Sequence, residues 1–316
     1  MKGRVLIPQD IAPAGKQFLM DRGYELVIGS GYSDECIKKE IVDCDAVIVR
    51  NFPFTKEMIL AGKNLKVIAR HGVGLDNIDV KAATELGIQV VFAPESNAIS
   101  VAEHTLGFIL AAAHQFPLCD RETKKGHFEF RHTLNAHDIE GKTLGIIGFG
   151  RIGRLVAQKA KNGLGMRVIV YDPFLGSGNA IEYEKADSLQ ALLPDCDYVT
   201  LHLPLSEETR NLIGKNEFQL MKKDACIINA ARGGIINEND LYDALVSHTI
   251  AMACLDVFVE EPVNKNSPLL SLDNIIVTPH SATLTKECVQ RMGMHAAMGI
   301  DEVLTGKMPT WPVNKL

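Results

Sequence analysis

The chain has 316 residues, 46% apolar and 23% charged, with a formal net charge of -6. That length exceeds what one hydrophobic core carries comfortably, so two domains are expected, and the composition excludes extended disorder. Lysine and arginine are spread along the chain without a basic stripe, which argues against nucleic acid as a partner, and no run reaches the roughly 18 apolar residues of a membrane span.

The first stretch alternates β-rich runs (Arg4–Ile7, Asp45–Val49, Leu65–Ala69, Ile88–Phe92) with helical patterns at Asp34–Val42 and Thr55–Ala61. This is the βαβ rhythm of a parallel sheet. Next comes Val101–Ala113, apolar all round and read as a buried spine helix in which His104 is a satisfied core histidine. The charged segment Gln115–Asp138, dotted with Phe116, Phe128 and Phe130, fits neither sheet and reads as an arm suited to dimerisation. Six further strands are predicted at Thr143–Gly148, Arg167–Tyr171, Tyr198–Leu203, Ala225–Asn229, Ile250–Leu255 and Asn274–Thr278, nearly continuous in apolarity as strands buried on both faces should be. The amphipathic run Thr285–Leu304 has no strand to lead into and is predicted to cross back to the first domain. The expected architecture is therefore α/β with two doubly wound parallel-sheet domains, one discontinuous (1–98 and 289–316) and one continuous (99–288).

The seven cysteines are odd in number and lack a CxxC, and several lie in apolar runs, so they read as reduced, buried thiols of a cytoplasmic protein. The first eight residues are too short an apolar run for a signal peptide. His127, His132 and His137 recur every five residues, which is not the i, i+4 pair of a zinc helix, and no metal is expected.

Gly148-Phe149-Gly150-Arg151-Ile152-Gly153 follows a strand and opens a helix, the context a dinucleotide fingerprint requires. Its glycines permit a tight turn, backbone approach to a pyrophosphate, and helix-on-strand packing, with phosphate at the helix's positive end. Asp172 ends the next strand 19 residues after Gly153, where an acid accepts ribose hydroxyls and repels a 2′-phosphate, so NAD is expected over NADP. The alternative, a helix-packing turn beside a loop-capping acid, does not require strand, helix and acid all in register.

Ligands gather at the carboxyl ends of parallel strands. Reading those ends gives Arg232, then Asp256 and Glu261, then His280. Arg232 suits a substrate carboxylate, bound bidentately, and His280 suits a proton donor that titrates near neutrality. Glu261 would orient that imidazole and favour its charged form. Together they point to hydride exchange between nicotinamide and a small 2-oxo or 2-hydroxy acid. Arg50 and Asn51, with Phe52 and Phe54, follow the strand Asp45–Val49 and are expected to read the substrate side chain.

The chain resembles the D-isomer-specific 2-hydroxyacid dehydrogenases, in particular their phosphoglycerate dehydrogenase-like branch. The resemblance spans nearly the whole length and is carried by His71-Gly72-Val73-Gly74-Leu75-Asp76-Asn77-Ile78-Asp79, Ser100-Val101-Ala102-Glu103-His104, the glycine fingerprint, His202-Leu203-Pro204, Asn229-Ala230-Ala231-Arg232-Gly233-Gly234, Leu255-Asp256-Val257-Phe258 with Glu261-Pro262, and Thr278-Pro279-His280. It implies a Rossmann NAD domain beside a flavodoxin-like substrate domain, a homodimer, a cleft that closes on substrate, and Arg232, Glu261 and His280 as the catalytic set. It also implies cofactor contacts from His202, Pro204, Ala230 and Asp256, the last to the nicotinamide carboxamide, and substrate-carboxylate contacts from the amides around Val73 and Gly74. The substrates in view are 3-phosphoglycerate, hydroxypyruvate and glyoxylate. Formate is disfavoured because Glu261 stands where formate dehydrogenases of this superfamily have glutamine. Two features depart from the family pattern: Ser281-Ala282-Thr283 replaces a glycine pair, predicting a differently shaped loop, and Asn237 replaces an aspartate. The chain ends at Leu316, so a regulatory domain with serine feedback is not expected. The competing reading is an NAD(H)-sensing regulatory protein of the same fold acting through protein partners, which the lack of long disordered tails disfavours.

Overall fold

Runs of Val, Ile and Leu four or five residues long become parallel strands when both of their faces can be covered by helices. In the computed structural model, which describes residues 2–175 and 182–316, this happens twice, in units comprising Met1–Ala98 with Thr283–Leu316, and Ile99–Ala282. In the first, β1 (Arg4–Ile7), α1 (Pro13–Asp21), β2 (Glu25–Ile28), α2 (Asp34–Glu40), β3 (Ala46–Val49), α3 (Lys56–Ala61), β4 (Val67–Arg70), α4 (Val80–Glu85) and β5 (Gln89–Val91) alternate. The sheet order is β2-β1-β3-β4-β5, with every pairing parallel. Winding reverses between β1 and β3, so the loops after those strands form the unit's natural crevice. Ser33 and Asp79 cap α2 and α4 by accepting the amides of Cys36 and Ala82.

The second unit follows α5 (Ala98–Ala113) and α6 (Phe116–Lys124) with β6 (Thr143–Ile147), α7 (Arg151–Leu164), β7 (Arg167–Tyr171), β8 (Glu184–Lys185), α8 (Leu189–Leu192), β9 (Tyr198–Leu201), α9 (Lys215–Leu220), β10 (Cys226–Asn229), α10 (Glu238–Val246), β11 (Met252–Leu255) and β12 (Ile275–Val277). Its order, β12-β11-β10-β9-β6-β7-β8, reverses winding between β6 and β9. The two-sheet α/β expectation holds. Each sheet has a strand more than the sequence pattern showed, β2 and β8. Both are edge strands with exposed or half-exposed residues; β8 is only Glu-Lys and carries no hydrophobic signal, whereas β2 carries the short apolar run Leu26-Val27-Ile28.

The last helix, α11 (Lys286–Leu304), belongs to the first unit, where Ala296, Ala297 and Ile300 share a core with Val5, Ile7, Val67 and Ala69. Its approach to α1 is close enough that a Cβ on Gly15 would lie 2.6 Å from the Gly293 carbonyl oxygen. Two expectations need correction. The helix α5 is not buried all round, since Glu103 and Gly107 face solvent and Ile99 is 47% exposed. All seven cysteines are free, but Cys36 and Cys119 are only partly buried. The segment 115–138 lies in neither sheet and forms α6 and a 3-10 turn at Phe128–His132, neither of which buries a residue. Among the described residues no helix is long and apolar enough to cross a membrane.

Burial also leaves a titrating liability. At the end of β4, His71 is 4% exposed, and its Nε2 has no hydrogen-bond partner among the described residues. Burial, then the charge of Arg50 and of Arg70, pushes its pKa from 6.5 down to about 4. The folded protein therefore holds this ring neutral. The associated stability is fully present above 6.5 and is lost as pH falls from there through about 4, amounting to about 3 kcal/mol at most. Urea midpoints at pH 7 and pH 4.5 should thus fall less for His71→Gln than for wild type. Equal falls would mean that the ring is not held neutral.

Candidate active site

After β6 the backbone turns at Gly148, whose φ of +93° disfavours any side chain and whose Cβ would meet the His202 carbonyl oxygen at 2.5 Å. Gly153 packs the first turn of α7 so closely on the loop that a Cβ would lie 2.2 Å from the Gly148 oxygen. At Gly150, by contrast, nothing lies within 4 Å of an added Cβ, and this N-cap makes no side-chain bond to the helix amides. The open backbone and uncapped amides fit a pyrophosphate at the positive end of α7, whose first turn also contains no acid. Arg151 and Ile152 form that first turn, exposed and half-buried respectively.

Asp172, just past β7, accepts the amide of Phe149 at 2.8 Å through one oxygen and that of Phe174 at 2.9 Å through the other. One carboxylate thus ties the glycine loop to the strand end where a ribose would lie. The variant Asp172→Ala should raise kcat/KM with NADPH relative to NADH, because the charge that repels a 2′-phosphate is gone; an unchanged ratio would remove that role from Asp172. His202 follows β9. Its ring is bonded to Thr200 Oγ1 at 3.1 Å, its Nδ1 has no partner among the described residues, and burial pushes its pKa down to about 3. This is a neutral ring beneath the glycine loop. Pro204 is exposed and Ala230 buried.

The polar strand ends converge within the second unit. At the end of β10 the buried Asn229 shapes the next turn, donating to the Arg232 carbonyl at 2.8 Å and accepting from the Ala231 amide at 3.0 Å. Arg232 Nη1 donates to the Ala231 carbonyl at 2.7 Å. Beyond β11, Glu261 accepts the Phe258 amide at 3.0 Å with one oxygen and binds His280 Nδ1 at 2.7 Å with the other. Burial would raise the Glu261 carboxyl, but the His280 hydrogen bond, the Phe258 amide and the charges of His280 and Arg232 bring it below the ordinary carboxylate range. Glu238, on α10, steadies the same loop by accepting the Val259 amide at 2.7 Å. Asn237 caps α10, accepting the amides of Asn239 and Asp240, so its difference from the family pattern is a matter of helix capping.

His280 follows β12 in the left-handed region, with φ +51°. The turn ahead of Ser281-Ala282-Thr283 is thus made at a non-glycine residue. The amides of Ser281 and Ala282 then donate to the Asp256 carboxylate at 2.7 and 3.0 Å. Asp256 itself is wholly buried, with both oxygens taken by this loop and by Thr278. The Asp256 carboxylate thereby anchors the loop that follows His280.

In the first unit, Arg50, Asn51, Val73 and Gly74 lie on loops after β3 and β4, laced together by Arg70 and Asn77. Arg70 donates to the carbonyls of Gly74 at 2.6 Å and Arg50 at 2.7 Å, and Asn77 donates to those of Arg50 and Phe52 at 2.8 and 2.7 Å. The guanidinium of Arg50 donates to the Asp10 carbonyl, and the Asn51 amide to Gln9 Oε1 at 3.0 Å. The signal for Arg70 is its place as a cation closing the apolar strand β4. Asn229 and Thr278 are polar residues at strand ends within the motifs named above, whereas Glu238, in the first turn of α10, carries no such signal. Among the described residues no group of three potential metal ligands occurs.

Residues 106–282 match the model of the D-isomer specific 2-hydroxyacid dehydrogenase, NAD binding domain. The chain is also 43% identical over 302 residues, 92% of its length, to a D-3-phosphoglycerate dehydrogenase of Methanocaldococcus jannaschii. It belongs to the D-isomer specific 2-hydroxyacid dehydrogenase family. The chain spans 57% of that relative's length. Among solved structures it is similar to the TT0316 protein of Thermus thermophilus, with a TM-score of 0.92 and 32% identity over 98% of this chain and 100% of that one. It is also similar to a D-lactate dehydrogenase of Lactobacillus jensenii determined with NAD+, with a TM-score of 0.81 and 28% identity over 99% and 100% of the two chains. The glycine loop with Asp172 and the ends of β10 to β12 all fall within the family's NAD binding domain or adjoin it.

Proposed function

We propose that this chain is an NAD-dependent D-2-hydroxyacid dehydrogenase, reducing a small 2-oxo acid or running the reverse reaction. The observation that carries the proposal is the His280–Glu261 pair, 2.7 Å apart, with Arg232 close enough to help hold Glu261 ionised. The nicotinamide, when bound, supplies or accepts the hydride. Arg232 would bind the substrate carboxylate and polarise its carbonyl. His280, with Nδ1 held by Glu261, would exchange a proton at Nε2 with the substrate oxygen. Gly148, Gly150, Arg151, Ile152, Gly153 and Asp172 would hold the dinucleotide, with His202, Pro204 and Ala230 beside it. Arg50, Asn51, Val73 and Gly74 would read the rest of the substrate, making the first unit the substrate domain and the second the NAD domain.

Kinship with the archaeal relative favours 3-phosphoglycerate, and hydroxypyruvate and glyoxylate are the smaller candidates. We place the enzyme in the cytoplasm as a homodimer, for which the exposed Phe116 and Phe128 on the helical segment 115–138 supply apolar contact surface. The test is loss of NADH absorbance with phosphohydroxypyruvate, hydroxypyruvate, glyoxylate, pyruvate and phenylpyruvate. Turnover of one or a few supports the proposal. Silence across all five, with NADH still bound, would overturn it in favour of an NAD(H)-sensing regulatory protein.

A further inference from the structure

We propose that His104, on α5, is a positioning residue for His280, acting through Thr278 and Asp256. This rests on the dehydrogenase reading above and adds a residue to its machinery.

The argument begins with one hydroxyl proton. Thr278 Oγ1 lies 2.5 Å from Asp256 Oδ1 and 3.2 Å from His104 Nε2. A carboxylate can only accept, so the threonine proton goes to Asp256, and toward His104 the hydroxyl must accept. Nε2 of His104 therefore carries hydrogen, and a directed chain runs from imidazole to hydroxyl to carboxylate. The ring also packs against Phe108 in an edge-to-face contact at 4.5 Å and 79°. Burial keeps His104 below its ordinary pKa although the Asp256 charge opposes this, so the donor is a neutral ring of fixed tautomer.

What the chain fixes is the loop of the proton donor. Asp256 receives Thr278 Oγ1 and the Ser281 and Ala282 amides on its side chain, and its carbonyl receives the His280 amide at 2.8 Å. All four bonds surround His280, whose φ of +51° is one that a non-glycine residue keeps only when its surroundings hold it there. Asp256 is wholly buried, so each donor lost from its carboxylate leaves charge less compensated at the root of this loop. A leucine at position 104 would fill the space against Phe108 but donate nothing.

The expected result for His104→Leu is a fall of about tenfold in kcat, with KM for NADH within about twofold of wild type, because the lost hydrogen bond affects loop geometry and not cofactor contact. His104→Gln, whose amide can donate toward Thr278, should recover most of the loss. Thr278→Val cuts the same chain in the middle and also removes the 2.5 Å donor to Asp256, so it should lose at least as much as His104→Leu, and the double variant should add little to Thr278→Val. In parallel, long-range proton–nitrogen spectra of wild type should show His280 with hydrogen on Nδ1 in one environment, and His104→Leu should broaden or split that signal. Wild-type kcat in His104→Leu, or a loss that glutamine does not recover, would overturn the positioning role while leaving the dehydrogenase reading intact. If wild type reduces no 2-oxo acid, that reading fails, and the spectra decide alone: a His280 signal unchanged by His104→Leu overturns the inference, and a split one supports it.

Discussion

His280→Ala should lower turnover of the preferred 2-oxo acid by ~10² to 10⁴ while leaving NADH affinity nearly unchanged. The separation follows from where the residues sit. The ring stands beyond β12, whereas the dinucleotide loop follows β6 and is tied to Asp172 after β7. Removing the imidazole takes away the proton donor and leaves Glu261 without its 2.7 Å partner, yet the uncapped amides of α7 are untouched. Both kcat and kcat/KM should therefore fall together, as for a group used mainly in the transition state. The Glu261 carboxyl lies below its ordinary value of 4.5, so the charged half of the pair is present above that value and is lost only as pH falls through the lower folded one. Acid loss of activity from Glu261 should accordingly appear below pH 4.5. Steady-state rates and an NADH titration check the main expectation, and near wild-type rates would remove His280 from the proton-transfer role.

Much of this site is legible in the sequence because parallel sheets place chemistry at predictable points. Once the apolar runs ending at Asn229, Leu255 and Val277 are read as neighbouring strands, Arg232, Glu261 and His280 must lie at one edge of one sheet. The glycine fingerprint is legible for the same reason, since its first and third glycines answer to backbone collisions that any such turn creates. What was hidden is the second layer. Asp256 looks like a ligand-facing acid, yet it is spent on amides of a loop whose shape depends on a left-handed histidine, and no local pattern announces that conformation. His104 is hidden by distance: 174 residues separate it from Thr278, and on an apolar helix a histidine reads as packing. The edge strand β8 escaped because an exposed edge needs no apolar run, whereas the Leu26-Val27-Ile28 run of β2 was there to be read.

Gly233→Ala should be among the most damaging single-methyl additions to this chain. The loop carrying Arg232 and the loop leading to Glu261 pass so close at this point that an added Cβ would lie 1.8 Å from the Phe258 carbonyl oxygen, 2.1 Å from its carbon and 2.7 Å from the Val259 nitrogen. All three are backbone atoms and cannot rotate aside, so the loops must separate. Phe258 also donates its amide to Glu261, and Val259 donates its own to Glu238, so the displacement reaches Glu261 and through it the orientation of His280. A misplacement of about 1 Å in such a constellation costs on the order of 10²-fold in turnover, and overpacking of this kind costs about 1 to 3 kcal/mol of stability. The neighbouring Gly234 separates steric from conformational effects. There the nearest atom to an added Cβ is 3.6 Å away, and the penalty is confined to its φ of +83°, about 1 to 2 kcal/mol. Rates and thermal midpoints for the two alanine variants should therefore rank Gly233 as the worse in turnover, and the reverse order would mean that the two loops are not in the contact that brings Arg232 and Glu261 to one site.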